Sequence, residues 1–339
     1  MARKRKSSPT IHDVAAAAGV SLMTVSRAMR GVDGVSERRR AEILRIAQKM
    51  NYTPNSAARS LSVTNADLIG ISIPNLFNDV FADILLAMRR SFQRAGFSTV
   101  IDTTDFSHDA EEAFVERLLT WRPSAVILTG TDHSERTIQM LKSARVPTLE
   151  TWDHTADPID ISVGMDHAAA GMLAAEHVRD LGYKRPAFVC AAKDKDTRAE
   201  KRLEGLRAVF RDIQIPVGRS ADTSAFEQGF NGCKHVLDQY NPDVVLFLND
   251  HYAYGGMMAC QEAGLSIPED IGIVGFNNLG LARVMRQSMT TVSTPRREMG
   301  AIGAQHVLAR INGVAAPRSH CLPGRLIPGA TTILQDTDR

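Results

Sequence analysis

The chain has 339 residues, enough to bury a large core and to form about two domains, or three if one is small, and its formal net charge is only +2. No run of 18 apolar residues occurs and no apolar stretch follows the basic first residues, which argues against a membrane span or a secretory leader and predicts a cytoplasmic protein. Cys190, Cys233, Cys260 and Cys321 are far apart and form no CxxC pair, so they read as reduced thiols, and His133, His154 and His167 lack metal-ligand spacing; no metal and no cofactor is expected.

Charge is unevenly spread. Residues 1–65 hold 12 Lys and Arg against 4 Asp and Glu, which leaves the remainder acidic and gives the footprint of a phosphate-binding head on an acidic body. The basic arm Arg3-Lys4-Arg5-Lys6 leads into a helix-turn-helix pattern over residues 10–30. Thr10 can cap a first helix in which Ile11, Val14, Ala15 and Ala18 share a face, and Gly19 supplies a turn residue tolerant of positive φ. Ser21 caps a second helix with Val25, Ala28 and Met29 inward and Met23, Ser26, Arg27 and Arg30 outward, Leu22 lying on the border. Such a helix presents its first side chains, here Leu22, Met23 and Thr24, to base edges in the major groove, and Arg27 suits a bidentate contact with guanine, so duplex DNA is the expected partner. Ser36 starts a third helix through Ile43, Leu44, Ala47 and Met50.

After Tyr52, Pro54 stops that helix, and Ala57, Ala58 and Leu61 can form a short helix over about 54–62, with Asn55 at its start. Leu61 is then a candidate wedge between base steps of the minor groove; a plain linker, with Leu61 packed on the body, is the alternative.

From Asp67 short apolar runs alternate with amphipathic helices. Strands are predicted at 68–73, 98–102, 125–128, 148–150, 186–190, 244–248 and 271–276, with helices near 79–95, 109–121, 134–144, 167–181, 196–211, 227–240 and 252–263. This alternation predicts two doubly wound parallel-sheet lobes with a ligand cleft beyond the carboxyl ends of their strands.

The chain resembles the LacI (lactose-repressor) family of transcriptional regulators. The motifs that carry the resemblance are Asp13-Val14-Ala15, Gly19-Val20-Ser21, Thr24-Val25-Ser26-Arg27, Tyr52-Thr53-Pro54-Asn55, Asn249-Asp250, Val274-Gly275-Phe276 and Thr290-Thr291-Val292. The resemblance implies an all-α helix-turn-helix head with hinge over 1–65, and a periplasmic-binding-protein-like α/β body over 66–339. Lobe 1 would take about 66–165 and 294–324, and lobe 2 about 166–293 and 325–339. It further implies a homodimer on a palindromic operator, read by Thr10, Ser21, Leu22, Met23, Thr24, Ser26, Arg27, Arg30, Ser36, Tyr52, Asn55, Ala58 and Leu61. Because Leu22 and Met23 replace the hydrogen-bonding side chains of many relatives, an altered operator is expected.

Phe77-Asn78-Asp79-Val80-Phe81, Val163-Gly164-Met165-Asp166 and Thr294-Pro295-Arg296 are similar to the gluconate-repressor branch, which implies a small-molecule effector such as gluconate, a ketogluconate or a related sugar acid. Laid on this sequence, the family pattern places Asn75, Phe77, Asn78, Phe81, Thr129, Trp152, Arg202, Asn249 and Asn277 at the effector cleft. Arg198 joins them one helical turn before Arg202. Asn277 stands where neutral-sugar binders of the family commonly carry Asp, which removes a repulsion toward an anion, and Arg202 can grip a carboxylate in bidentate fashion. Glu150 is expected near the cleft, where it would oppose an anion unless it points away or hydrogen-bonds ligand hydroxyls. The implied function is a repressor of sugar-acid genes that leaves its operator when the effector binds. Alternatives are a family member tuned to a neutral sugar or other metabolite, and a two-lobed sugar-binding protein that does not act on DNA. No GxGxxG or phosphate loop follows the first strand and no nucleophile has a positioned base, so an enzyme is not expected.

Overall fold

The computed structural model describes residues 9–52, 66–75, 79–190, 197–214 and 224–335. The chain divides into two compact units, Met1–Ala66 and Asp67–Arg339. The expected hinge helix, with Asn55, Ala58 and Leu61, and the cleft residues Phe77 and Asn78 lie outside the described residues.

The first unit contains α1 (Ile11–Ala18), α2 (Leu22–Arg30) and α3 (Glu37–Lys49). Its ends are set by side chains legible in the sequence. Thr10 and Asp13 close a reciprocal capping box, Gly19 ends α1 at φ 63°, and Ser21 and Ser36 accept from the backbone of Thr24 and Arg39. Each cap satisfies helix N–H groups that have no partner within the helix. Val14, Ala15, Ala18, Val25, Ala28, Ile43 and Ala47 form the buried core, with Tyr52 packed against its edge. Leu44 lies on the exposed side of α3, and the partly buried Ile46 packs in instead.

In the body, β1 (Ala66–Ile73), β2 (Ser98–Thr103), β3 (Pro123–Thr129), β4 (Thr148–Asp153) and β5 (Ile161–Met165) alternate with α4 (Asp79–Arg94), α5 (His108–Thr120) and α6 (Glu135–Ala144) up to β4. With β10 (Ser319–Cys321) they make a six-stranded sheet in the order β10-β5-β4-β3-β1-β2. The second sheet, in the order β11-β9-β8-β7-β6, contains β6 (Pro186–Val189), β7 (Val244–Phe247), β8 (Gly272–Asn277), β9 (Thr290–Ser293) and β11 (Arg325–Ile327). Around it run α7 (His167–Asp180), α8 (Thr197–Val209), α9 (Ala225–Tyr240) and α10 (Asp250–Glu262), while α11 (Arg296–Ile311) returns to pack on α4, β4 and β5. Strands such as β3, β7 and β8 are buried on both faces, which explains their largely apolar sequences, whereas β4 is equally buried but carries Thr148, Glu150, Thr151 and Asp153.

The chain crosses between lobes after Met165, after Ser293 and after Cys321. The last crossing produces one departure from the parallel pattern, because β11 pairs antiparallel with β9. Strands of both sheets end at the cleft, so a chain that enters the second sheet from that side must run against its neighbours. The short strands β5, β9, β10 and β11 were not among the predicted strands.

Ile43→Ala is expected to destabilise the head by about 2–5 kcal/mol, because it empties the centre of a small core. Differential scanning calorimetry should show the loss in the head transition and leave the body transition in place; a matching shift in the body would contradict the separation of the two cores.

Candidate functional site

In the head, the first turn of α2 brings together Ser21, Leu22, Met23 and Thr24. Leu22 is 39% and Met23 60% exposed, so two large apolar side chains stand in solvent at the N-terminus of the second helix. The Ser21 and Thr24 hydroxyls lie 2.9 Å apart and are used by the cap. Arg27 is exposed and its guanidinium lies over Gly34, where an added Cβ would sit 3.1 Å from Nη1. Thr10, Ser36 and Tyr52 serve caps and core of the head as described above, Ser26 is half-buried, and the side chain of Arg30 lies outside the described residues.

In the body, the carboxyl ends of both sheets converge. Helix α8 is set close against α7 by two glycines: a Cβ on Gly171 would lie 2.2 Å from the Arg202 carbonyl oxygen, and one on Gly205 would lie 1.9 Å from that of Ala168. Arg198, Lys201 and Arg202, at i, i+3 and i+4, consequently share the side of α8 turned toward the strand ends. Arg202 is buried. Its Nη1 donates to the Leu248 carbonyl oxygen at 2.6 Å, its Nε donates to His167 Nδ1 at 3.3 Å, and its guanidinium lies 3.8 Å from the centroid of Phe276. Burial, followed by the charges of Arg202, Arg198 and Lys201, holds the His167 pKa well below the usual histidine range. His167 is therefore neutral and keeps its proton on Nε2, since Nδ1 must accept from an arginine.

Arg198 and Lys201 reach the other lobe. The Arg198 guanidinium is 4.7 Å from the Phe106 centroid and 5.7 Å from that of Phe81. Lys201 pairs with the buried carboxylate of Asp153, to which Thr131 also donates at 3.1 Å. Trp152 is buried in the left-handed region at φ 78°, a conformation rarely taken by a bulky residue, and stands edge-on to Phe81 and His167. Asn249 caps α10 by accepting from the Tyr252 N–H at 3.1 Å. Asn277, at φ 99° and buried, accepts from the Arg296 side chain through its backbone oxygen and from Thr294 through its amide oxygen.

Phe81, Trp152, Arg202 and Asn277 are thus brought to the meeting of the lobes and packed tightly there. Of the expected cleft residues among the described ones, only Thr129 and Arg198 line the adjoining cavity of about 320 Å³; Asn75, two residues after β1, is half-buried. Of the alternatives for Glu150, the structure shows the one in which it points away. It is buried on the α5–α6 side of β4, accepts from the Ile159 N–H at 2.5 Å and lies 3.7 Å from His133, so it does not oppose a ligand in the cleft. Sequence reasoning missed Lys201, Asp153, His167 and Phe106. The i, i+3 relation of Lys201 to Arg198 was the available signal.

Asp250 braces the floor of the site, accepting from the Leu279 N–H at 2.5 Å and the Thr291 hydroxyl at 2.8 Å. Burial pushes its pKa up to about 6, against the lowering effect of those two donors and Arg296.

A helix-turn-helix head and a body of two parallel-sheet lobes with an interlobe cleft define a class of ligand-responsive DNA-binding regulators. The family model described as bacterial regulatory proteins, lacI family, matches residues 10–55, and the periplasmic binding protein-like domain matches residues 175–332. The chain is 31% identical over 331 residues to the HTH-type transcriptional regulator GntR of Escherichia coli K12, covering 96% of this chain and 99% of the relative. A LacI-family regulator from Silicibacter pomeroyi superposes with a TM-score of 0.87 at 32% identity, covering 95% and 99% of the two chains. The lac repressor dimer bound to operator and the anti-inducer ONPF gives 0.82 at 28% identity, covering 96% and 100%. The chain belongs to the LacI family of DNA-binding transcriptional regulators. Regulators of this family bind operator DNA and small-molecule effectors and dimerise.

Because the folded-state pKa of Asp250 lies above its unfolded value near 3.9, the folded body holds this proton more tightly, and the group's contribution to stability falls as pH rises from about 4 to 6. Asp250→Asn should remove that slope. Urea unfolding of both chains at pH 4.5, 5.5 and 6.5 checks this; parallel pH profiles would contradict it.

Proposed function

We propose that this regulator is a repressor of sugar-acid metabolism genes that works in the cytoplasm as a homodimer. It leaves a palindromic operator when gluconate, a ketogluconate or a related sugar acid binds between the lobes. The observation that carries the effector class is the row Arg198, Lys201 and Arg202 on one side of α8, facing a cleft where Asn277 adds no negative charge. An anion entering this poorly screened space is attracted by the positive charge that this row carries. The similarity to GntR supports the same reading.

The operator face is the first turn of α2, with Leu22 and Met23 suited to thymine methyl groups and Arg27 to guanine. Dimerisation is supported by a separate apolar face on α9, α10 and residues 281–285. There Phe226, Met258, Leu281 and Val284 are 46–76% exposed, and a second copy would cover them. The chain acts by binding, with release driven by the effector's differential affinity for two lobe arrangements.

Titration calorimetry on the full chain should detect gluconate or a ketogluconate and give at least about tenfold weaker binding for glucose, a difference of about 1.4 kcal/mol. Tighter binding of glucose than of any sugar acid would overturn the effector class. With a duplex enriched from random sequence, log K for DNA should fall linearly with log salt, and a flat salt profile would contradict a phosphate-contacting head.

A further inference from the structure

We propose that Cys233 and Cys260 form an oxidisable pair, a modification site at which a two-electron oxidant of the peroxide class links α9 to α10 by a disulfide.

The two side chains meet inside the second lobe. Cys233 belongs to α9 and Cys260 to α10, and both are 0% exposed. Their sulfur atoms lie 3.8 Å apart, within hydrogen-bond reach for thiols. Such a contact needs two helices close to backbone contact, and glycines provide it. A Cβ on Gly229, one turn before Cys233, would lie 2.0 Å from the Tyr252 carbonyl oxygen, and one on Gly255 would lie 1.9 Å from that of Phe226. Just beyond the cysteines Lys234 pairs with Glu262 at 2.6 Å, so the helices stay together on both sides of the sulfur contact. A disulfide places its sulfurs about 2.0 Å apart, so the closure required is under about 2 Å, a distance that side-chain rotation and a small shift of the helices can cover.

The pair is chemically unequal. The hydrogen bond with Cys233 holds the Cys260 thiol below its usual range against the opposing effect of burial, while the same bond, with burial, raises that of Cys233. The thiolate is the reactive form of cysteine, which assigns the first step to Cys260. Its sulfur attacks one oxygen of hydrogen peroxide and the O–O bond breaks; Cys260 becomes a sulfenic acid, and the departing hydroxide takes the thiol proton and leaves as water. The Cys233 sulfur then attacks the Cys260 sulfur and the S–O bond breaks; the hydroxyl takes the Cys233 proton and leaves as a second water. In all, the two thiols give up two protons and two electrons, and one peroxide is reduced to two waters.

Burial slows the first step, because exposure as well as thiolate character sets the rate of oxidation. It also confines the product. A sulfenic acid enclosed beside a thiol meets that thiol before a second peroxide, so the pair stops at the disulfide instead of advancing to sulfinic acid. The link closes a loop of the chain through β7, between the two helices, and makes the lobe harder to unfold. Cys321 is exposed and serves as an internal control for contact with the reagent.

The test treats the full chain, folded and in concentrated urea, with hydrogen peroxide, removes the excess with catalase, blocks remaining thiols in acidic urea with N-ethylmaleimide and maps the peptides by mass spectrometry. The folded chain should yield the Cys233 and Cys260 peptides joined, two hydrogens lighter than their sum, and a reducing phosphine should separate them. The urea midpoint of the oxidised chain should rise by about 1 M and return on reduction. Cys233→Ser should leave Cys260 as a sulfenic acid that dimedone traps, whereas Cys260→Ser should leave Cys233 as a thiol that the maleimide blocks. If either serine variant does not fold, the peptide map of the unaltered chain decides. Free thiols at both positions after Cys321 is fully oxidised, sulfinic acids without a link, or a link formed only in urea would overturn the proposal.

Discussion

Much of the body's chemistry depends on where α8 is held. Gly171 and Gly205 let α8 and α7 approach to backbone contact, which a Cβ at either position would prevent. That approach fixes the register of Arg198, Lys201 and Arg202 against the other lobe, where Phe81, Phe106 and Asp153 meet them. Cations on a freely placed surface helix would contribute little, whereas cations pressed between aromatic rings and a buried carboxylate interact in a medium of low dielectric constant.

The same constraint explains how the lobes are joined. Lys201 with Asp153, Arg198 with two phenylalanines and Arg296 with Asn277 all run between segments associated with different sheets. Each uses a charged group rather than a covalent link. A ligand that competes for these cations shifts the balance between lobe arrangements by its differential affinity, and only by that amount.

Legibility in the sequence followed the range of the interactions. The head was readable because Thr10, Gly19, Ser21 and Ser36 act within one helical turn, and periodicity identified the inward residues except at Leu44. Strands buried on both faces declared themselves as apolar runs. The strands β5, β9, β10 and β11 did not: serine, glycine and threonine interrupt the apolar pattern of β5 and β9, and β10 and β11 are three residues long and pair with segments further back in the chain. In the cleft, family motifs pointed to Arg202 and Asn277, and helical spacing pointed to Arg198. They did not show the pairing of Lys201 with Asp153 or the turning of Glu150 toward His133, since both are decided by contacts between residues remote in sequence.

The head and the cleft are separate chemical devices, and the account holds that one small molecule links them. Linkage makes this measurable as a closed cycle: operator affinity with and without saturating gluconate, and gluconate affinity with and without operator, under one buffer and salt. The account predicts that gluconate weakens operator binding by about tenfold or more and that operator weakens gluconate binding by the same factor. Operator affinity that is unchanged or tightened by bound gluconate would contradict it.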